Sequence, residues 1–75
     1  MVNRFGSMRI FQERLLEQRK LNKLTQIEVA KFLNISQPSY IRYENGSAEP
    51  NYENLVKLAD LFDVSIDYLL GRAAY

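Results

Sequence analysis

Residues 25–46 read TQIEVAKFLNISQPSYIRYENG, a helix start, a stop, a second start and a second stop within 22 positions. Thr25 and Glu28 have the spacing of a capping box. The threonine hydroxyl accepts from the amide three residues on, and the glutamate reaches back to the amide of the cap. The helix they open offers Val29, Ala30, Phe32 and Leu33 as its apolar positions. Asn34 ends it, because asparagine tolerates the left-handed backbone of a helix terminus better than most residues with a side chain. Ser36 caps another helix only two residues later. Pro38 falls at its second position, where a missing amide hydrogen costs nothing because first-turn amides have no partner within the helix. Asn45-Gly46 stops that helix. Two helices joined by so few residues cannot lie comfortably side by side, so they cross steeply. Ala30 suits the close approach, since a larger side chain there pushes the two apart.

Upstream, the chain reads as helical from Met8 to about Leu21, with Ser7 as N-cap and Phe11, Leu15 and Leu21 marking an apolar side. Met1 to Ser7 lack periodicity and read as a flexible arm or residual vector-encoded sequence. Downstream, a helix starts near Asn51, after Pro50, with Leu55, Leu58, Ala59 and Phe62 facing inward. A brief last helix is capped by Ser65, carries Ile66, Leu69 and Leu70, and is closed by Gly71. Residues 72–75 form a short tail, packed on a partner chain or frayed. No segment has hairpin chemistry, so the expectation is an all-α domain of five helices over residues 8–71.

The second helix of the opening stretch has two unlike faces. Tyr40 and Tyr43, with Ile35, form an inward stripe. Gln37 and Ile41 lie four apart on the other side, beside Pro38 and Arg42. That outward set holds an amide able to pair with adenine, a guanidinium able to pair with guanine or a phosphate, and an aliphatic group suited to a thymine methyl. Charge is divided in the same sense. Residues 1–46 carry eight Lys/Arg against four Asp/Glu, and residues 47–75 carry two against five, although the whole chain is only +1. A basic first part is a weak pointer to a polyanion.

Steep crossing and short connection are the spacing of a helix-turn-helix, and here the chain resembles the phage-repressor and Cro-like family, the xenobiotic-response-element type. The resemblance is carried by Phe11, Leu15 and Arg19, by Leu24 to Ala30, by Leu33-Asn34-Ile35-Ser36 and by Tyr43-Glu44-Asn45-Gly46 with Pro50. It continues through Leu55 to Ala59, Phe62 to Ser65 and Asp67 to Gly71. It implies a transcriptional regulator, a repressor, that lays its third helix in the major groove of a double-stranded DNA operator. Gln26 takes the place of a phosphate-clamping glutamine. Gln37, Pro38, Ile41 and Arg42, with Ser39 among them, occupy base- and backbone-reading positions, and Asn45 and Gly46 lie where the following loop meets phosphate. Arg19 and Glu44 take the place of an internal ion pair. Asn34 stands where a glycine is common, Ile41 where a polar residue is common, and Tyr40 at a usually aliphatic core position. The Tyr40 hydroxyl therefore needs a partner or an exposed rim.

A single third helix covers too few base pairs for selective binding, so a homodimer spanning two half-sites is expected. Tyr68, Leu70, Ala73 to Tyr75 and the surroundings of Leu61 are the candidate contacts. Such a role places the protein in the cytoplasm. The other reading is a protein-interaction module on the same scaffold, in an antitoxin-like or anti-repressor complex. Catalysis is not expected: the 75 residues include no cysteine or histidine, no nucleophile with a base partner and no phosphate-cradling glycine loop. Asp60, Asp63 and Asp67 lack the spacing of a calcium loop. No metal or small-molecule cofactor is expected, and no apolar run approaches the length of a membrane span.

Overall fold

Four of the five helices begin at a side chain that satisfies a first-turn amide. The computed structural model describes residues 4–75, with side chains from Arg9 onward, and places α1 at Arg4–Leu21, α2 at Gln26–Leu33, α3 at Gln37–Asn45, α4 at Tyr52–Phe62 and α5 at Ile66–Leu69. Thr25, Ser36, Asn51 and Ser65 sit in extended backbone and accept from the amides of Glu28, Ser39, Asn54 and Tyr68. The capping box is closed from both sides, with Thr25 N–H donating to Glu28 Oε1 at 2.9 Å and Glu28 N–H donating to Thr25 Oγ1 at 3.1 Å. Asn34 is left-handed at φ 59° and ψ 44°, and its amide donates back to α2. Pro38 sits in the first turn of α3, and Gly46 ends that helix at φ 84°. No strand occurs among the described residues.

The exception is the start of α1. It begins at Arg4, so Ser7 lies inside the helix rather than at its N-cap. A serine makes a boundary only where the backbone leaves helical geometry, and Gly6, at a cost of about 1 kcal/mol, does not force that departure. Met1 to Asn3, part of the expected arm, lie outside the described residues.

α2 and α3 pack on each other most extensively; α1 lies against α3 and α5, and α4 against α5 and α2. The core comprises Phe11 and Leu15 of α1, Val29, Ala30 and Leu33 of α2, Tyr40 and Tyr43 of α3, Leu58, Ala59 and Phe62 of α4, and Leu69 of α5. Leu21 and Phe32 do not join it and are exposed. At about 100° per residue, each stands roughly 100° round its helix from the centre of the buried stripe, so both carry apolar side chains on the wrong side of the cylinder. Tyr40 and Tyr43 meet edge to face with centroids 6.2 Å apart. The Tyr43 hydroxyl accepts from the buried Asn54 amide at 3.1 Å.

The C-terminal tail is held on its own domain. The Arg72 and Ala73 amides donate to the Asp67 carbonyl at 2.7 and 3.2 Å, and Ser65 Oγ donates to the Tyr75 main-chain oxygen at 2.9 Å. Arg14 of α1 stacks over the Tyr68 ring, 4.4 Å from its centroid, and donates to the carbonyls of Tyr68 and Ala73. Gly71 makes this approach possible, because its φ is 81° and a Cβ there would lie 2.8 Å from Ile10 Cγ2.

Candidate nucleic-acid interface

The N-termini of α2 and α3 open on one side of the molecule, and their first residues, Gln26 and Gln37, line a shared open groove of about 450 Å³. Arg19, Lys23, Thr25 and Ile27 line it as well, and among the described residues no acidic side chain does. On the surface of α3, Pro38 and Arg42 are exposed, while Gln37, Ser39 and Ile41 are half-buried. Ser39 is engaged locally: its amide and its hydroxyl both meet the Ser36 hydroxyl. Asn45 is exposed at the end of the helix, where its Oδ1 accepts from the amide and hydroxyl of Ser47 at 2.9 and 2.6 Å. The half-buried Gly46 follows it in left-handed backbone.

Behind this surface lies one carboxylate with four hydrogen bonds. Glu44 Oε2 accepts from Arg19 Nε at 2.6 Å and from the Tyr40 hydroxyl at 2.5 Å. Its Oε1 accepts from Arg19 Nη2 and from Gln26 Nε2, both at 3.1 Å. Arg19 Nη1 completes the set by donating to the Leu24 carbonyl at 3.1 Å. The arginine and glutamate side chains are 14% and 8% exposed, so the pair is largely shielded from water. Burial pushes the Glu44 carboxyl up, but hydrogen bonds from Arg19, Tyr40 and Gln26, with the charge of Arg19, outweigh it and hold the carboxyl below the usual range. Burial, reinforced by the neighbouring carboxylate, pushes the Tyr40 hydroxyl up, so it stays a protonated donor.

The arrangement joins the two halves of the candidate interface. Glu44 belongs to α3, Arg19 to α1 and Gln26 to the first turn of α2, so α3 is pinned to both neighbours at one point. An amide nitrogen carries two protons, and only one of Gln26's is committed to Glu44. Two of these contacts lay beyond the sequence reading. That the Tyr40 hydroxyl needs a partner or an exposed rim was legible, yet which of the two, and the partner's identity, were not, and the Gln26–Glu44 bond had no signal in spacing.

The comparisons with known proteins agree with this geometry. Residues 15–69 match the family described as helix-turn-helix, and the chain belongs to that family. It is 48% identical over 61 residues to the HTH-type transcriptional regulator YqaE of Bacillus subtilis, covering 81% of this chain and 53% of that protein. It is 49% identical over 63 residues to the cryptic phage CTXphi transcriptional repressor RstR of Vibrio cholerae, covering 84% and 56%. The chain thus spans about half the length of these curated relatives. Among solved structures it is similar to the phage P22 c2 repressor in complex with a synthetic operator, with TM-score 0.78 and 33% identity, over 84% of this chain and 96% of that one.

Proposed function

We propose that this chain is the DNA-reading domain of a transcriptional regulator, acting as a repressor, with α3 lying in the major groove of an operator. The observation that carries the reading is its likeness, over 84% of its length, to a repressor solved in complex with operator DNA. The outward chemistry of α3 supports it. Gln37 and Arg42 supply polar groups for base edges, and Pro38 and Ile41 supply apolar surface for a thymine methyl. Gln26, Ser39, Asn45 and Gly46 flank that helix and serve the phosphates, which position the domain without reading sequence. On this reading the protein works as a homodimer on two half-sites and does so in the cytoplasm.

Selection from a random double-stranded DNA pool tests the proposal. The expected result is enrichment of one short motif, bound with an affinity that falls steeply as salt rises. A pool that remains random after repeated rounds at low salt overturns the reading and favours the interaction module.

A further inference from the structure

Three non-glycine residues among those described have left-handed backbone: Lys23 at φ 56°, Asn34 at φ 59° and Asp63 at φ 53°. Asparagine and aspartate visit that region readily because their short polar side chains bond locally. Lysine has no such compensation, and a residue held in a sparsely populated conformation invites the question of what its side chain gains there. Its backbone is fixed by the end of α1, where the Lys23 amide donates to the Lys20 carbonyl at 3.0 Å and the Leu24 amide donates to the Arg19 carbonyl at 3.1 Å. Any residue could make those two bonds, and glycine would make them without strain. The dipole of α1 does not require this lysine either, because Arg19 and Lys20 already occupy the last turn.

The position of the side chain is distinctive. Lys23 lines the same groove as Thr25, Gln26 and Gln37, at the mouth shared by the N-termini of α2 and α3. The other cation in the groove, Arg19, is committed to Glu44, whereas Lys23 is exposed and makes no ion pair among the described residues. An uncommitted ammonium beside an amide with a spare proton, in a groove lined by no carboxylate, is suited to an anion.

We propose that Lys23 is a DNA-backbone contact, placing its ammonium on a phosphate next to the one held by Gln26 at the flank of α3. This rests on the reading of α3 as the DNA-reading helix. The left-handed turn aims the charge, and the contact carries no sequence preference.

The decisive substitution is Lys23→Gly, which removes the charge and suits the backbone, so the fold is not put at risk. Binding to the selected duplex and to a scrambled duplex is measured by fluorescence anisotropy over a range of salt, with urea melts alongside. Lys23→Gly is expected to fold normally and to weaken both duplexes by the same factor. That factor is about eightfold for each bound protomer at 0.1 M salt, from a salt slope smaller by about 0.9 per protomer. Lys23→Arg, which keeps the charge, restores the slope. If the unaltered chain binds duplex DNA and Lys23→Gly leaves the slope unchanged, Lys23 does not touch a phosphate and the assignment is overturned. Loss of affinity with an unchanged slope overturns it equally. An unaltered chain that binds neither duplex removes the DNA-reading function itself, and the role of Lys23 with it.

Discussion

Glu44→Ala is expected to remove a large share of the stability of the domain. The alanine leaves three donors without their acceptor: the guanidinium of Arg19, the hydroxyl of the fully buried Tyr40 and the amide of Gln26. With the two charged side chains only 14% and 8% exposed, the relevant scale is that of breaking a buried ion pair, about 3–5 kcal/mol. Total stability for 75 residues is about 4–11 kcal/mol, so the loss is between about a quarter and all of it. Arg19→Ala is costly for a different reason, since the carboxylate keeps Tyr40 and Gln26 as donors but loses the charge that balances it. Urea melts of both single variants and the double variant measure the coupling. The double variant is expected to lose clearly less than the sum of the singles, because removing both partners leaves no uncompensated charge. A Glu44→Ala cost under about 1 kcal/mol, the range of exposed pairs, or additive single losses, refutes the argument that the network pins α1, α2 and α3 together.

The same carboxylate contributes to the acid sensitivity of the fold. The native pKa of Glu44 is depressed, so its contribution is complete at neutral pH. It begins to fall as the pH drops through the unfolded glutamate value of about 4.3 and disappears below the native value; in a pH series of melts wild type loses more stability over this range than Glu44→Gln, which keeps only the acid loss shared with other carboxylates such as Glu28. Gly46→Ala should cost about 1–2 kcal/mol, the price of left-handed backbone for an ordinary side chain. The space itself is conceded by the flexible end of Gln12, 2.5 Å from the new Cβ, and Gly46→Asn should cost less in the same melts. Thr25→Ala removes the acceptor of the capping box and should cost about 1 kcal/mol in thermal melts. Gln26→Ala should weaken selected and scrambled duplexes by similar factors in a binding titration, as expected for a phosphate contact.

The fold was legible where the chain carries its own stop and start signals. Thr25 with Glu28, Asn34, Ser36 with Pro38, and Ser65 each act through backbone geometry that a few neighbouring residues determine, and each boundary lies where that chemistry places it. The start of α1 has no comparable signal, and a lone serine gave a boundary the helix passes through. Leu21 and Phe32 illustrate a second limit. Hydrophobicity marks them as core, but only their angle around the helix decides, and both lie off the buried stripe. The site divides in the same way. The outward set on α3 could be read from helical spacing, and the Arg19–Glu44 pair came from the family resemblance. The bonds from Tyr40 and Gln26 to Glu44, the clasp of Arg14 on Tyr68 and the left-handed Lys23 depend on how separate helices meet, which no local pattern encodes.

The central claim is that α3 reads sequence from the major groove, and the most direct measurement is the rank order of affinities across all single-base substitutions of the selected duplex. Wild type, Gln37→Ala and Arg42→Ala are titrated against the full set at one salt concentration, with urea melts confirming that each variant folds. Wild type should lose about 1–3 kcal/mol at each base read by a bidentate contact. Gln37→Ala should flatten that loss at one or two positions per half-site and leave the other positions as they were. Arg42→Ala should do the same at a different position, or lower the salt slope by about one unit per protomer if its guanidinium meets a phosphate. If both variants keep the rank order of wild type at every position, α3 is not the reading element and the account of this protein as a major-groove regulator is wrong.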